Sequence, residues 1–207
     1  MIDWLPLEAI AAGRLGLPDT PSTRAAHALC REASEGFLAN HQLRSYLWAS
    51  LLGGARGIDV DHEALFVAAA LHDLGLTDRF RGDGCFEAIG GDAAAQFLVG
   101  LGWPEARAEV VRRAIVLHIE PSVPIEAGPV AHVLDLGITV DVSGGRLDEI
   151  DPDSRTAILG TYPRLDFKRR MTDVLRRDAE AQPDCATALW FDQIDLAGRI
   201  ANAGFDD

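Results

Sequence analysis

Hydrophobic and polar residues alternate in the manner of α-helices in nearly every segment of this chain. Helix starts are indicated by the capping residues Thr20, Asn40 and Asp61, and a helix end is indicated by Gly53-Gly54. The pattern therefore predicts an all-α bundle of eight or nine helices. Their expected ranges are residues 21–35, 41–52, 63–74, 86–101, 104–118, 128–136, 154–159 and 167–178, with a last helix from the cap Asp184 to about residue 203.

One stretch, residues 133–142, has the character of a β-strand, because Val, Leu and Ile alternate there loosely with other residues. A single strand has no partner in a sheet, so we predict the end of a helix followed by an extended loop. Two further local features are expected. Gly90-Gly91 interrupts the helix over 86–101, and Asp153 caps the helix over 154–159.

The length and composition are typical of one globular domain. With 207 residues, 48% of them apolar and 25% charged, the chain is expected to fold as a single domain over residues 1–207. The longest unbroken apolar run, residues 64–71, is much shorter than the roughly 20 residues of a membrane span. Asp3 and Glu8 stand where a secretory signal would carry positive charge, which predicts that the chain is not exported.

The cysteines also indicate a cytoplasmic protein. Cys30, Cys85 and Cys185 are odd in number, widely spaced and without a Cys-x-x-Cys pair. This pattern predicts free thiols in a reducing compartment, and it argues against both a disulfide framework and a cysteine-based zinc site.

The net charge of −13 is spread evenly along the chain and repels polyanions. A basic stretch over residues 164–177 is interleaved with Asp166, Asp173 and Asp178, which predicts helical salt bridges on a solvated face. We therefore expect a small-molecule partner and neither nucleic acid nor membrane. A homodimer is a default expectation.

The side chains with the clearest chemical signal are His72 and Asp73, at the C-terminal end of the most apolar helix. Neighbouring helical positions differ by about 100°, so the two side chains cannot both face solvent. An ionised carboxylate beside an imidazole in such a place needs a partner. A divalent metal ion would satisfy both groups; the alternative is a histidine that interacts with the helix dipole.

Further candidate ligands lie elsewhere in the chain. His41 is predicted in the first turn of the preceding helix, and Asp141 follows an apolar run and precedes Ser143-Gly144-Gly145. Asp135 is a rival to Asp141, which could also be an ordinary loop residue. His118 ends a predicted helix, either as a cation at the helix end or as a partner of the site.

A His, then a His-Asp doublet on the next helix, then a distant Asp in a helical domain resembles the HD superfamily of metal-dependent hydrolases. Residues 40–47 and 69–75, with Asp141, carry this resemblance. Two shorter motifs are similar to its cyanamide hydratase branch: His41-x-x-Arg44-x-Tyr46 and Phe86-Glu87-x-x-Gly90-Gly91. The resemblance covers about residues 35–145, which leaves N-terminal and C-terminal helical extensions.

The resemblance implies that His41, His72, Asp73 and Asp141 bind one divalent metal ion, for which Zn, Fe, Mn and Ni are equally suitable. Water on this ion would attack a small substrate, with hydration of a C≡N group as the expected reaction. His118 is a possible additional ligand. A second ion would need His132, which lies too close to His118 in sequence for the two-metal pattern, so a single ion is expected.

Three other residues have implied roles. Asp73 would also hold the attacking water. Arg44 would either bind a substrate phosphate or pair with an acidic neighbour, and Glu87 would orient substrate or shuttle a proton. Arg44 and Glu87 could equally form an exposed charge pair.

Two alternatives to the hydratase stay open. One is a phosphohydrolase of a nucleotide or phosphomonoester, for which Arg44, Arg79 and Arg81 are the nearby cations. A tight apolar pocket lined by Leu43, Leu47 and Phe86 would favour the hydratase. The other alternative is a non-catalytic helical interaction module with a closed, structural metal site.

Overall fold

The structure, a computed structural model, describes residues 18–207. This part of the chain contains ten α-helices and no β-strand, which confirms the all-α expectation. Residues 1–17, the start of the expected N-terminal extension, lie outside the described residues. The helices are α1 (Pro21–Ala33), α2 (Gly36–Ala55), α3 (His62–Leu71), α4 (Phe86–Gly100), α5 (Glu105–Leu117), α6 (Pro129–Ser143), α7 (Pro152–Thr161), α8 (Phe167–Ala181), α9 (Ala186–Gln193) and α10 (Leu196–Ala201).

Two of the predicted helix starts are confirmed in detail. Thr20 forms a capping box with Thr23 at the start of α1, where Pro21 occupies the first helical position. The Asp61 side chain accepts a hydrogen bond from the Ala64 backbone N–H, at 3.0 Å, at the start of α3. Each contact satisfies backbone groups that a helix end leaves without intrahelical partners.

The centre of the bundle is α3, which is buried on every side. Each residue from Ala64 to Leu71 is fully buried, as expected for a helix that is apolar all round. Helix α2 is nearly as buried, although it carries the polar side chains of His41, Gln42 and Arg44. Buried polar groups require partners, so α2 is the natural place to search for a site.

Helices α2 and α6 make the most extensive contact in the bundle. Gly137 allows this approach, since a Cβ at that position would lie 2.2 Å from the Ser45 carbonyl oxygen and 2.7 Å from the Ala49 Cβ. No side chain could be accommodated there without a shift of the backbone. The close crossing brings Asp141, one turn after Gly137 on α6, next to the buried polar side chains of α2.

The predicted start of the second helix is wrong. Helix α2 begins at Gly36 rather than at residue 41, so Asn40 is not a cap and His41 lies inside the helix. The Asn40 amide is used in a tertiary contact instead, as it donates to the Pro163 carbonyl oxygen at 2.9 Å. A side chain with a distant partner cannot be distinguished from a cap by local sequence alone.

Residues 133–142 are helical, which corrects the predicted extended loop. They belong to α6, a continuous helix that ends with Gly144 in the left-handed conformation. Val133, Leu134 and Val140 are fully buried. Their burial against the rest of the bundle outweighs the modest preference of β-branched residues for strands.

Three other helix boundaries differ from expectation. Helix α4 continues through Gly90-Gly91 without interruption, because these glycines pack closely against the backbone at Gly75 and Arg112. Asp151, not Asp153, caps α7 by accepting from the Ser154 N–H. The last predicted helix is two helices, α9 and α10, separated at Asp195 with φ of 49°.

Cys85 and Cys185 form a disulfide, which corrects the expectation that all three cysteines are free. Only Cys30 has a free thiol, and it is buried. The paired cysteines are 100 residues apart, so their spacing gives no signal of the bond. The disulfide ties the start of α4 to the start of α9.

The basic stretch is solvated in part. Arg169 pairs with Asp166 and Asp173 on the surface of α8, as predicted. Arg164 departs from this pattern, because it is buried and contacts Asp207 and Asp141. Among the described helices, none combines the length and the apolar character needed to cross a bilayer.

Candidate metal centre

Three histidines from different helices converge on one carboxylate. His41 comes from the interior of α2, while His72 and His118 directly follow the last residues of α3 and α5. The Nε2 atoms of His41 and His72 are 3.2 Å apart, and both lie near Asp73 Oδ2, at 3.5 and 3.3 Å. His118 Nε2 approaches the other carboxylate oxygen, Asp73 Oδ1, at 3.9 Å.

The opposite ring nitrogen of each histidine is held by an acceptor. His72 Nδ1 lies 2.8 Å from the Ala69 carbonyl oxygen, and His118 Nδ1 bonds the Ile115 carbonyl oxygen in the same way. Carbonyl oxygens only accept, so these Nδ1 atoms carry the hydrogen. In the neutral rings Nε2 is then unprotonated and presents its lone pair to the shared site.

Burial favours the neutral form of these rings. Burial, with the neighbouring His41 as a further cause, lowers the pKa of His72 to about 3. Burial likewise lowers the pKa of His118 to about 4, with His72 as the next cause. Neutral imidazole is the form that coordinates metal ions.

Asp73 lacks a compensating donor. Its side chain is almost fully buried, and Oδ2 has no hydrogen-bond partner. Burial raises the pKa of this carboxyl, and the nearby His41 and His118 oppose that rise. An orphaned carboxylate oxygen that faces the Nε2 atoms of two imidazoles is costly in the absence of a positive charge.

The side chains of His41, His72 and Asp73, called the donor group below, are spaced as ligands of a divalent cation are. Ligand atoms at about 2.0–2.1 Å from a tetrahedral zinc ion lie roughly 3.3 Å from one another. The contacts among His41 Nε2, His72 Nε2 and Asp73 Oδ2 are 3.2, 3.3 and 3.5 Å. Within residues 18–207 these three residues are the one group of His, Cys, Asp and Glu side chains close enough to hold an ion.

Asp141, which we expected as a fourth ligand, lies behind His41 instead. Its Oδ2 is 2.8 Å from His41 Nδ1, while the Nε and Nη2 atoms of Arg44 donate to its two oxygens at 2.7 Å. Trp48 Nε1 adds a fourth hydrogen bond, to Oδ1 at 2.8 Å. Both oxygens of Asp141 are therefore occupied, and Asp141 lies outside the group of close donor atoms formed by His41, His72 and Asp73.

Arg44 neutralises this carboxylate. Burial disfavours the ionised form of Asp141, but the charge and hydrogen bonds of Arg44 and of His41 hold its pKa far below the usual range. Arg44 is itself fully buried, and its Nη1 donates to the Tyr162 carbonyl oxygen at 3.0 Å. Of its two expected roles, the structure therefore shows the pairing with an acidic neighbour.

Other candidate residues lie away from the donor group. Glu87 is buried rather than exposed, does not pair with Arg44, and has no hydrogen-bond partner for Oε2. Burial raises the pKa of its carboxyl. Asp135 lines the neighbouring cavity without joining the donors. His132 Nδ1 bonds the Val123 carbonyl oxygen, at 2.7 Å.

Sequence reasoning missed two contributors to the site. Trp48 and Arg164 both contact Asp141, and Arg164 also donates to the Asp141 backbone oxygen at 3.1 Å. Trp48 lies one helical turn after Arg44 on α2, so the spacing was a usable signal. Arg164 gave no such signal, because its neighbours in sequence are solvated.

A cavity of about 280 Å³ opens above the donor group. His41, His72, Asp73 and His118 form its polar floor, and apolar side chains form most of its wall. Phe86 contributes to this wall as expected. Leu43 and Leu47 do not, since both lie in the main core instead. The described residues therefore form an all-helical fold in which a buried His/Asp donor group lies beneath a small, mostly apolar cavity.

Two comparisons relate this sequence to known proteins. The sequence matches no protein-family model. It is distantly similar to two proteins of Saccharomyces cerevisiae, cyanamide hydratase DDI2 and cyanamide hydratase DDI3. In each case the identity is 25% over 171 residues, which cover 80% of this chain and 76% of the yeast protein. This distant homology supports the cyanamide hydratase-like resemblance and a hydratase-like function at the family level.

Proposed function

We propose that this protein is a metal-dependent hydratase that adds water to the C≡N group of a small neutral molecule. The observation that carries the proposal is the convergence of unprotonated Nε2 atoms and an orphaned Asp73 oxygen on one point beneath an apolar cavity. The similarity to two cyanamide hydratases supports the choice of reaction. Membership of the HD superfamily is part of the same proposal.

The proposed ligands are His41, His72 and Asp73, whose donor atoms lie close enough together to hold an ion, with His118 added as a fourth. His118 replaces Asp141 in the set expected from sequence, because its Nε2 faces Asp73 while Asp141 faces away. When bound, a divalent cation would act as a Lewis acid that polarises the substrate and lowers the pKa of a bound water toward neutrality. Its identity, Zn, Fe, Mn or Ni, is left open by these donors.

The chain's own side chains would orient the reactants. Asp73 has two oxygens, so one can bind the cation while the other accepts a hydrogen bond from the attacking water. Asp141 would hold the His41 ring through Nδ1, a positioning role that such carboxylates commonly have beside metal-binding histidines. The apolar wall would exclude bulk water from the reacting group.

The charge around the cavity argues against the phosphohydrolase alternative. A phosphate ester carries negative charge and needs cations near the metal ion. Arg44 is committed to Asp141, Arg79 to Glu32, and Arg81 to the Leu76 carbonyl oxygen. Among the described residues that line the cavity, Arg199 is the one Lys or Arg, and it is accompanied by Glu120 and Asp135. A neutral substrate fits this balance better.

Metal analysis with matched variants tests the ligand set. We expect about one divalent ion per chain in the purified protein and a loss of most of it in His72→Ala. His132→Ala is the matched control, because this histidine bonds a backbone oxygen outside the donor group. Equal metal content in the wild type and His72→Ala would contradict the assignment.

Two substrates then test the reaction class. The metal-loaded protein is expected to convert cyanamide to urea and to leave p-nitrophenyl phosphate intact. Turnover of the phosphate ester alone would favour the phosphohydrolase. A metal-loaded protein that converts neither compound would favour the interaction module.

A further inference from the structure

The cavity above the donor group is larger than cyanamide requires. Its volume of about 280 Å³ is close to the lower limit of about 300 Å³ that is typical of pockets for drug-sized ligands. Cyanamide has three non-hydrogen atoms and would leave most of this space unfilled. Apolar space that a ligand leaves empty forfeits favourable contacts.

The unfilled part of the cavity is apolar and belongs to the C-terminal helices as well as to α6. Met171 and Leu196 are almost fully buried there. The apolar side chains that face this space are Ile138, Val142, Met171, Leu175, Trp190 and Leu196. A wall of this kind binds aliphatic or aromatic groups through the hydrophobic effect.

Three polar side chains around this wall already bond backbone groups. The Ser143 hydroxyl donates to the Thr139 carbonyl oxygen at 2.9 Å, and Arg199 Nε donates to the Ile194 carbonyl oxygen at 3.0 Å. Asp135 Oδ2 accepts from the Val123 N–H at 3.4 Å. Among the described lining residues, the one buried side-chain oxygen without a partner is Asp73 Oδ2. The cavity therefore has a reactive polar floor beneath a wall that is mostly apolar.

We propose that the preferred substrate is a cyanamide or nitrile that carries an apolar substituent of about the size of a benzyl group. Its C≡N group would lie at the donor group and its substituent against the apolar wall. This inference rests on the proposed function and specifies its substrate class. For an N-substituted cyanamide, water adds across the C≡N bond to give the N-substituted urea. A C–O bond forms, both protons of water end on atoms of the product, and no oxidant or reductant is needed.

A substrate series tests this proposal in the metal-loaded protein. We expect kcat/KM to increase from cyanamide through N-methylcyanamide and N-propylcyanamide to N-benzylcyanamide. Burial of each methylene contributes about 0.8 kcal/mol, which corresponds to roughly fourfold. The benzyl compound should therefore exceed cyanamide by at least about tenfold. Turnover of cyanamide with equal or lower kcat/KM for every larger compound would overturn this proposal and leave the hydratase function standing.

The proposed function fails in a different way. If no member of the series is hydrated, both the hydratase function and this substrate class are overturned. The two failures are therefore distinguishable in one experiment.

A cavity-filling variant with a matched control locates the effect. Leu175→Trp replaces an isobutyl side chain in the wall of the cavity by a bulky indole ring. Leu189, on α9, is 48% exposed and lies outside the cavity. We expect Leu175→Trp to lower the ratio of kcat/KM for N-benzylcyanamide to that for cyanamide by at least about tenfold. Leu189→Trp should leave this ratio unchanged. An unchanged ratio in Leu175→Trp would overturn the proposal.

Direct binding gives a readout that depends neither on turnover nor on the folding of a variant. Isothermal titration calorimetry of the wild-type protein with N-benzylurea, the product of the largest substrate, should show saturable binding at least about tenfold tighter than that of urea. Absence of saturable binding of N-benzylurea would contradict the proposal.

Discussion

Asp141 Oδ2 lies 2.8 Å from His41 Nδ1, on the side of the ring opposite to His72. This contact places Asp141 behind the His41 ring, and we propose that Asp141 supports the metal ligands rather than belonging to them. The same carboxylate is held by Arg44 and Trp48, so one buried ion pair fixes the position of the first proposed ligand.

Replacement of Asp141 by Asn should weaken both folding and metal binding. The variant leaves Arg44 charged and buried without its partner, which commonly costs about 3–5 kcal/mol. It also replaces one of the two acceptor oxygens by an NH2 group, so one oxygen is left for the four donor atoms of His41, Arg44 and Trp48. Weaker support of a ligating histidine reduces metal affinity by about 10–100-fold. Urea denaturation and a metal competition titration measure the two effects.

A surface pair is the control for Asp141→Asn. Arg56 and Glu149 form an exposed ion pair, so Glu149→Gln should cost less than about 1 kcal/mol and leave metal affinity unchanged. If the folded Asp141→Asn variant binds the metal ion a thousandfold or more weakly than the wild type, Asp141 coordinates the ion directly. That result would contradict its supporting role.

His118 and a control histidine outside the site, His132, distinguish four ligands from three. His118→Ala should reduce metal affinity by at least about tenfold, because the variant removes an Nε2 atom that faces Asp73. His132→Ala should leave the affinity unchanged, since His132 bonds a backbone oxygen and lies outside the cavity. The measurement is a competition titration with a chromogenic chelator. Equal affinity in both variants would remove His118 from the ligand set.

The crossing of α2 and α6 provides a test of the packing. Gly137→Ala would place a methyl group 2.2 Å from the Ser45 carbonyl oxygen, so the helices must separate. We expect a loss of about 1–3 kcal/mol in the free energy of unfolding, together with weaker metal binding. Gly160→Ala is the matched helical control, because no atom lies within 4 Å of the added Cβ. That change should stabilise the fold by about 0.5–1 kcal/mol.

How much of this fold the sequence predicts depends on whether the determining contacts are local. The caps Thr20 and Asp61 act on residues three positions away, and both were predicted correctly. Asn40 was wrongly predicted to be a cap, and its amide instead bonds the carbonyl oxygen of Pro163, which is 123 residues away. Residues 133–142 are helical because they are buried between helices. The intrinsic preference of their residue types for a strand does not predict this burial.

The same distinction applies to the site. The His72-Asp73 doublet and His41 were identifiable from residue type and order, and the structure brings them together. His118 has the same position relative to its helix as His72, directly after the last residue, and this parallel was the available signal. The role of Asp141 depends on Arg44 and Trp48, whose side-chain directions are set only by the crossing of α2 and α6.

The disulfide offers a test that concerns both stability and the cavity. Denatured protein should show one reactive thiol before reduction and three after it, since only Cys30 is free. The bond closes a loop of about 100 residues, so the double variant Cys85→Ser/Cys185→Ser should lose about 2–4 kcal/mol of stability. It should also raise KM, because the bond ties Trp190 on α9 to the start of α4.

Treatment of the double variant with dithiothreitol is the control for this prediction. The reductant should lower the unfolding free energy of the wild type and leave that of the double variant unchanged. Three reactive thiols in the denatured, unreduced wild type would contradict the bond.

We propose that three imidazoles and one carboxylate surround a single cation. This arrangement can be tested by a crystal structure of the metal-loaded protein, with anomalous diffraction at the absorption edge of the bound element. We predict one anomalous peak within about 2.3 Å of the Nε2 atoms of His41, His72 and His118 and of an Asp73 oxygen. A peak coordinated by Asp141, or no peak between His41 and His72 in a protein that binds the metal, would contradict it.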